Sequence, residues 1–476
     1  MTISDLKPGA RIHLMGICGT AMASLAGLLK DRGYAVQGSD SNPYPPMSTQ
    51  LENLKIPVMK GYKKENLQLR PDFVIVGNVI SKSNEEAQEL LSLGIPYTSL
   101  PKAMGEFIIG SRESIVISGT HGKTTTTSMM AWVMTAFEAN IGFLIGGIPK
   151  NFSQSFQNPS GKYFVIEGDE YDTAFFDKVP KFIHYRPRHV VLTSVEFDHA
   201  DIYRDLDAVK ASFAKLMEMT PENGTLLYCA EDKNVCELQK LCRAKRKFSY
   251  GLKQGDYRGK VLKIREDGTE FEVHFQDKSL GKYFVVLSGD YNILNALAVV
   301  GLIHQQGLSL DLAREKLKSF LGVKRRQEIL GEPDGVLVIE DFAHHPTAVK
   351  ETVIGIHSKY PKKKFFSVFE PRSATSRRKV FQKDYVEAFK NCHEVIIAEA
   401  FDQGKIDEAD RFSSHELVED LRKAGKSANC FASVEQIVEF LKDRAKPGDG
   451  ILIMSNGGFD GIYGKLMAAL QGRHRH

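Results

Sequence analysis

The sequence has few cysteines, a single tryptophan and no long apolar segment. Its six cysteines form no C-x-x-C pair, so the pattern favours free thiols over a disulfide framework or a cysteine-rich metal site. No apolar run approaches the roughly 18 residues that a membrane-spanning helix needs. The N-terminus also lacks the basic-then-apolar pattern of a secretory signal. We therefore expect a cytoplasmic protein without a membrane partner.

The sequence also has no large excess of positive or negative charge. The 63 lysines and arginines nearly balance 59 aspartates and glutamates, which leaves a net charge of +4. This small value indicates neither a nucleic acid nor an anionic membrane as the partner. The 476 residues exceed what one hydrophobic core usually supports. The length therefore predicts roughly two to four domains.

Nine short apolar runs, each ending in a turn, recur along the chain. Each run has a continuous apolar stretch instead of alternating polar and apolar residues, which is typical of strands buried on both faces of a parallel sheet. Helix-like stretches separate the runs, so the pattern predicts α/β architecture. One stretch, residues 257–289, alternates polar and apolar residues around an Asp-Gly turn and predicts an antiparallel patch. The nine runs are RIHLMGICG, DFVIVGN, SIVISGTHG, YFVIEGDE, HVVLTSVEFDH, GVLVIEDFAHHP, KFFSVFEP, EVIIAEAF and GILIMSNGG.

Two breaks divide this pattern into three parts. Turn-forming and charged residues interrupt it around 101–112 and again around 322–335, each time just before a new apolar run. We therefore expect three domains, at 1–108, 109–324 and 325–476. Each is long enough to form its own core.

The segment SGTHGKTTTT resembles a phosphate-binding loop with a glycine missing. The usual spacing is G-x-x-x-x-G-K-[ST], but the position five before Gly122 is Ile117, and Gly119 is the nearest upstream glycine. A tight turn with a solvent-exposed lysine is the plain alternative. A strand before and a helix after favour a nucleotide site, because a helix N-terminus presents N–H groups to phosphate. The residues predicted to bind ATP here are Gly119, Thr120, His121, Gly122, Lys123, Thr124 and Thr125.

Acidic clusters follow two further apolar runs, in YFVIEGDEYD and SVEFDHADIY. An acidic surface loop is the alternative, and a lone histidine such as His199 is more often structural. Carboxylates at the carboxyl end of a strand are also where a phosphate-bound Mg²⁺ is held. We expect Lys123, Glu167 and His199 to be catalytic, and we expect Thr124, Glu167 and His199 to bind the metal.

Three further places could bind ligands. In the first run, GICGTA is not a complete dinucleotide fingerprint, but a diphosphate could lie at the following helix N-terminus. Asn292 could contact adenine or cap a helix, and these alternatives stay open. Arg372 follows another strand and suits an anionic group. The residues of the first segment that could contact such a ligand are Gly16, Cys18, Gly19, Thr20 and Asp40.

Taken in order, GICGTAM, GTHGKTTT and DFAHHP resemble the Mur ligases, the ATP-dependent amide ligases of peptidoglycan assembly. The resemblance covers nearly the whole chain. It implies an N-terminal Rossmann-like UDP-binding domain, a central P-loop ATPase domain and a C-terminal Rossmann-like domain. The residues that would bind the UDP-sugar are Gly16, Cys18, Gly19, Thr20 and Asp40. It also implies ATP contacts from Asn292, from Arg325 or Arg326, and from Asp341, with Mg²⁺ as cofactor. His344 and Arg372 would hold the incoming amino compound.

Within this family the chain resembles the branch with a UDP-N-acetylmuramate acceptor. DEYDTAFFDK, EPRS and SNGGF resemble enzymes of peptidoglycan recycling that join the tripeptide L-Ala-γ-D-Glu-meso-diaminopimelate to the lactoyl carboxylate through an acyl phosphate. The alternative is the UDP-N-acetylmuramate–L-alanine ligase of new synthesis. Such ligases usually carry Tyr where Phe342 stands, and His-Arg-Tyr at 372–374. A nucleotide-gated binding module is a third possibility.

The family also places a carbamylated lysine after the second acidic cluster in several members. Lys210 falls a few residues early for that role, and Phe213 lies nearer the expected place. The sequence therefore leaves open whether this protein has such a lysine.

Overall fold

The computed structural model describes residues 5–43 and 47–472. Its three successive α/β regions confirm the predicted fold class, with a five-stranded, a ten-stranded and a six-stranded sheet. Within the described ranges, no helix is long and apolar enough to cross a bilayer.

The N-terminal sheet is entirely parallel, with strand order β3-β2-β1-β4-β5. The chain reverses its direction of winding between β1 and β4, which opens a crevice at the carboxyl ends of the strands. The turn after β1 therefore lies at this crevice. The elements are β1 (Arg11–Met15), α1 (Thr20–Asp31), β2 (Ala35–Asp40), α2 (Met47–Asn53), β3 (Val58–Lys60), β4 (Phe73–Val76), α3 (Glu85–Leu93), β5 (Tyr97–Ser99), α4 (Leu100–Ala103) and a π-helical turn (Met104–Ile109).

The central sheet has the order β17-β16-β15-β14-β13-β12-β6-β9-β7-β8. Strands β15, β16 and β17 are antiparallel, as the alternating pattern predicts. The elements are β6 (Glu113–Ser118), α5 (Lys123–Met134), β7 (Gly142–Leu144), β8 (Phe156–Gln157), β9 (Tyr163–Gly168), β10 (Asp172–Ala174), β11 (Asp177–Pro180), β12 (Pro187–Leu192), α6 (Leu206–Met219), β13 (Thr225–Cys229), α7 (Lys233–Leu238), β14 (Arg246–Gly251), β15 (Tyr257–Arg265), β16 (Gly268–Phe275), β17 (Lys278–Val285), α8 (Asp290–Gln305) and α9 (Leu310–Lys318).

The C-terminal sheet has the order β18-β19-β23-β20-β21-β22, with β18 antiparallel at one edge. Its other strands are parallel. The elements are β18 (Glu328–Gly331), β19 (Leu337–Asp341), α10 (Pro346–Lys359), β20 (Phe365–Phe369), α11 (Asp384–Ala388), β21 (Glu394–Ala398), α12 (Ser414–Lys423), β22 (Ser427–Phe431), α13 (Val434–Arg444), β23 (Gly450–Met454) and α14 (Ile462–Gln471).

All nine apolar runs form strands in parallel pairs, as predicted. Every residue of β4, β19, β20, β21 and β23 is buried, because helices cover both faces of these sheets. The N-terminal and central regions also share one apolar core. Gly27 of α1 makes this contact possible, since a Cβ there would lie 2.0 Å from the ring of Phe156.

Candidate active site

A tight loop joins β6 to α5 at the carboxyl edge of the central sheet. Gly119 and Gly122 have φ angles of +132° and +81°, a region that side chains disfavour. A Cβ on Gly119 would lie only 2.2 Å from Thr193 Oγ1. The loop docks on the neighbouring segment, where Thr120 N donates to Ser194 O at 2.8 Å. Gly119 thus permits a close approach that explains the short glycine spacing.

Lys123 opens α5 and is surrounded by oxygen atoms. Its Nζ donates to Gly119 O at 2.6 Å and to Glu170 Oε2 at 2.9 Å, and Asp169 Oδ1 lies 3.9 Å away. Burial alone would lower the pKa of Lys123, but Glu170 and Asp169 outweigh it and raise that pKa. Lys123 is therefore a fixed cation at the helix N-terminus, where phosphate binding is favoured.

Thr124 and Glu167 meet beside this lysine. Thr124 Oγ1 donates to Glu167 Oε2 at 3.0 Å, and Gly146 N donates to Oε1 at 2.5 Å. Burial raises the pKa of Glu167, which marks a carboxylate that lacks sufficient positive charge around it. A hydroxyl and a carboxylate are the hard oxygen donors that Mg²⁺ prefers, so these residues fit the family's metal.

His199 faces the same place through Glu170. Its Nε2 lies 3.2 Å from Glu170 Oε1, and its ring packs on Tyr171 with centroids 4.0 Å apart. Burial would lower the pKa of His199, but Glu170 and Asp198 raise it. Glu170, only 1% exposed, thus joins Lys123 to His199. Sequence reasoning ranked Glu167 first among these carboxylates and missed this bridge, although the run DEYD contained the signal.

The two candidate arginines have different surroundings. Arg325 Nε donates to Glu340 Oε1 at 2.5 Å and its Nη2 donates to Ser455 O at 2.9 Å, so it is held within the C-terminal domain. Burial lowers the pKa of Arg326, while the carboxylates of Asp341 and Glu167 act in the opposite direction. Of the two arginines, Arg326 is therefore the one that interacts electrostatically with Glu167, the carboxylate predicted to bind Mg²⁺.

Asp341 and Asn292 both make hydrogen bonds to the backbone near the junction between the central and C-terminal domains. Asp341 accepts from Gln327 N and Ala343 N, each at 2.8 Å. Asn292, in the first turn of α8, is 2% exposed, and its Nδ2 donates at 2.8 Å to the carbonyl of Ser288, just before the helix. Both side chains lie at the junction, and their predicted contacts with the nucleotide stay predictions.

The two predicted amino-substrate residues lie in different places. His344 Nε2 is 3.9 Å from Asp198 Oδ2, facing the central domain, and burial lowers its pKa. Arg372 lies over the ring of Phe401 with its guanidinium carbon 3.7 Å from the ring centroid, and it donates to Glu370 Oε1 at 3.2 Å. A cavity of about 420 Å³ opens beside Arg372. Its lining consists of Glu370, Arg372, Phe401, Gly458, Asp460 and Gly461.

The predicted UDP-sugar residues gather at the crevice of the N-terminal sheet. Gly16 has a φ of +83° directly after β1, and Thr20 begins α1 after Gly19. Cys18 N donates to Asp40 Oδ2 at 2.9 Å, so Asp40 also holds this turn. Burial and the charge of Asp40 raise the pKa of Cys18 to about 11, which keeps the thiol protonated.

Neither candidate position for a modified lysine contributes an amine to this site. Lys210 lies on α6 and pairs with Glu237 of α7. Phe213 is fully buried and stacks on Phe182 with centroids 6.1 Å apart. The site described above is therefore built without either residue.

Together, a phosphate-binding loop, buried carboxylates beside it and a separate cavity in a third domain define a nucleotide-dependent α/β enzyme. The chain belongs to the Mur ligase family. The matching family models are the Mur ligase family catalytic domain at 11–112, the Mur ligase middle domain at 117–303 and the Mur ligase glutamate ligase domain at 325–457. Enzymes of this family are ATP-dependent ligases that form amide bonds and generally need Mg²⁺.

Similar proteins include two kinds of ligase. The UDP-N-acetylmuramate–L-alanyl-γ-D-glutamyl-meso-2,6-diaminoheptandioate ligase of Escherichia coli is 36% identical over 97% of this chain and 98% of its own. The UDP-N-acetylmuramate–L-alanine ligase of Clostridium tetani is 33% identical over 96% and 98%.

Solved structures include examples of both kinds. A murein peptide ligase from Psychrobacter arcticus is 35% identical with a TM-score of 0.72, over 97% of this chain and 99% of its own. The UDP-N-acetylmuramate-alanine ligase of Thermotoga maritima, at 23% identity, shares the fold with a TM-score of 0.80 over the same shares.

Proposed function

We propose that this enzyme joins L-Ala-γ-D-Glu-meso-diaminopimelate to the lactoyl carboxylate of UDP-N-acetylmuramate, with ATP converted to ADP and phosphate. The cavity beside Arg372 is the observation that carries the choice of amino substrate. The diaminopimelate end of the tripeptide bears carboxylates and an ammonium group. Arg372, which pairs with Glu370, and the carboxylate of Asp460 line this cavity and offer both signs of charge. The methyl group of L-alanine would leave most of this volume unfilled.

The surroundings of Phe342 also support a tripeptide. The guanidinium carbons of Arg325 and Arg326 lie 5.1 and 4.6 Å from its ring centroid. L-Alanine ligases usually carry a tyrosine at this position, so the ring here lacks a hydroxyl that could contact the substrate. The pocket that faces the central domain consequently differs from theirs in chemistry.

In the first step, an oxygen of the lactoyl carboxylate attacks the γ-phosphorus of ATP, and the bond from that phosphorus to ADP breaks. Charge develops on the transferred group, and the fixed ammonium of Lys123 and the N–H groups at the start of α5 offset it. Glu170 holds Lys123 in place. Thr124, Glu167 and His199 would hold Mg²⁺, which supplies further neutralisation of phosphate charge.

In the second step, the free amine of the tripeptide attacks the acyl carbon, and phosphate leaves as the amide forms. Burial lowers the pKa of His344, which favours the neutral imidazole. Its Nδ1 donates to Phe342 O at 3.0 Å, so Nε2 can accept a hydrogen bond from the incoming amine. Arg326 and Asp341 would close over the nucleotide from the C-terminal side and exclude water from the acyl phosphate. ATP provides the activation, so no covalent enzyme intermediate is required.

Release of ADP in the presence of UDP-N-acetylmuramate and Mg²⁺ tests the proposal. We expect release that depends on the tripeptide, with L-alanine a much poorer substrate. Efficient release with L-alanine alone would favour the second candidate, the L-alanine ligase, which the Clostridium tetani relative supports. ATP turnover independent of either amino substrate would instead favour a nucleotide-gated module and overturn both.

A further inference from the structure

Beside the phosphate loop lies a cluster that the proposed reaction does not use as a unit. His121, Glu196 and His345 bring one ligand atom each to within 4.8 Å of one another. Glu196 Oε2 is the common point, 3.3 Å from His121 Nε2 and 3.4 Å from His345 Nδ1. Two imidazoles and a carboxylate around one point are a donor set that transition metals such as zinc take in proteins.

The three residues come from different parts of the molecule. His121 lies in the phosphate loop, and Glu196 lies in the segment after β12. His345 caps the N-terminus of α10, in the C-terminal domain. A metal ion held by all three would therefore connect the phosphate loop to the C-terminal domain.

Neighbouring groups already orient these side chains as metal sites require. His345 Nε2 donates to Phe197 O at 3.1 Å, which leaves Nδ1 unprotonated and directed at Glu196. Thr347 Oγ1 donates to Glu196 Oε2 at 2.7 Å, which fixes that carboxylate. Ligating histidines usually donate their second ring N–H to a carbonyl or carboxylate in this way. The Nδ1 of His345 otherwise accepts only a long bond of 3.3 Å from Thr347 N.

The cluster is also accessible from solvent. The side chains of His121 and Glu196 are 24% and 31% exposed, so solvent can reach the site.

We propose that His121, Glu196 and His345 form a binding site for a transition-metal ion of the zinc class, which fixes the C-terminal domain against the phosphate loop. This site differs from the Mg²⁺-type site at Thr124, Glu167 and His199 in that two of its three donors are imidazoles. Because the ion would join domains that must separate to release products, occupation slows turnover.

Equilibrium dialysis of the full-length protein with Zn²⁺ alone, without nucleotide, tests the site directly. We expect one tightly bound ion per chain, with affinity about tenfold or more weaker in His345→Asn. Asparagine keeps the helix cap but is a poor zinc ligand. The matched control is Glu167→Gln, which alters the Mg²⁺-type site and should leave Zn²⁺ affinity unchanged. Bound Co²⁺ should give an absorption spectrum of low coordination number in wild type but not in His345→Asn.

Two outcomes overturn the proposal. One is Zn²⁺ affinity in His345→Asn equal to that of wild type, and the other is a loss of affinity in Glu167→Gln alone. Thermal unfolding separates binding from misfolding, because Zn²⁺ should raise the melting temperature of wild type but not of a folded His345→Asn. If His345→Asn does not fold, Glu196→Gln provides the same comparison from the central domain. None of these measurements depends on the amide-forming reaction.

Discussion

At the scale of single residues, the site depends on a buried charge network around Glu170. This carboxylate contacts Lys123 Nζ at 2.9 Å and His199 Nε2 at 3.2 Å. Asp169 likewise pairs with two lysines, Lys123 and Lys181, and its Oδ2 lies 2.7 Å from Lys181 Nζ. Opposite charges therefore surround one another in this buried network, and removal of one partner would leave another without compensation.

Lys123→Ala should nearly abolish ADP release, by about a hundredfold or more, because the fixed charge for the transferred phosphoryl group is lost. UDP-N-acetylmuramate should still bind, since its predicted site lies in another domain. Calorimetric titration and an ADP assay measure the two effects separately. Lys245→Ala is the matched control, because Lys245 is an exposed lysine of the same domain paired with Glu222. Retained turnover in Lys123→Ala would contradict the proposed role.

Glu170→Gln keeps the size of the side chain but removes its charge. It should therefore lower the pKa of His199 and reduce the stability of the folded protein. In wild type the pKa of His199 is raised, so the stability from this pair is complete below about pH 6.5 and is lost as pH rises through the raised value. The difference in urea midpoint between wild type and variant should therefore shrink as pH rises. NMR titration of the histidines in metal-free protein checks the pKa itself.

Glu222→Gln, at an exposed ion pair, is the control for the glutamate substitution. It should shift neither the histidine titration nor the pH dependence of the urea midpoint. A His199 pKa that is the same in wild type and in Glu170→Gln would refute the bridge.

At the scale of elements, the turn from β6 into α5 is the most constrained feature. Gly119→Ala places a Cβ 2.2 Å from Thr193 Oγ1 and 2.8 Å from Ser194 N, where the neighbour is backbone and cannot swing away. We expect a loss of about 1–3 kcal/mol in stability from overpacking, together with loss of nucleotide binding. Urea unfolding and binding of an ATP analogue measure the two effects.

Gly94→Ala is the matched control for this turn. Gly94 also has a positive φ, at +62°, but nothing lies within 4 Å of the added Cβ. It should therefore report backbone strain alone, with nucleotide binding intact. Equal effects of the two substitutions would show that the close approach at Gly119 has no special importance.

At the scale of the whole molecule, the C-terminal domain docks on the central domain through buried polar contacts. Thr375 Oγ1 donates to Asp198 Oδ1 at 2.6 Å, and Ala200 N donates to Thr375 Oγ1 at 3.2 Å. Both Thr375 and Asp198 are at least 95% buried. This junction holds the C-terminal domain, which contains the cavity beside Arg372, against the central domain, which contains the phosphate loop.

Thr375→Val should weaken the docking of the C-terminal domain on the central domain. Valine keeps the size of Thr375 but lacks the hydroxyl that donates a hydrogen bond to Asp198. Leaving a buried charged acceptor without that donor costs roughly 1–3 kcal/mol. We expect a higher KM for the amino substrate and an unchanged Kd for the UDP-sugar. Thr220→Val is the control, since its Oγ1 donates to Leu216 O within α6, away from the junction. An identical KM in both variants would contradict the docking role.

Much of this architecture follows from local sequence pattern. Apolar runs identify the parallel strands because a strand buried on both faces consists mostly of apolar residues, without the alternation of a half-exposed strand. The sequence also places Gly119, Lys123, Thr124 and Glu167 at one sheet edge, since parallel strands end on the same side. The domain boundaries at 108 and 324 and the ligand contacts of individual residues stay predictions.

Only the tertiary structure decided how distant residues combine. Sequence left Arg325 and Arg326 equivalent, and the fold directs the first to Glu340 and brings the second within reach of Glu167. Thr375 and Asp198 are 177 positions apart, and no periodicity relates them. Strands and phosphate turns are decided by neighbours in the chain, whereas charge networks and domain contacts are decided by packing between domains. The sequence therefore determined the strands and the phosphate loop, and the assembled domains determined which side chains share the site.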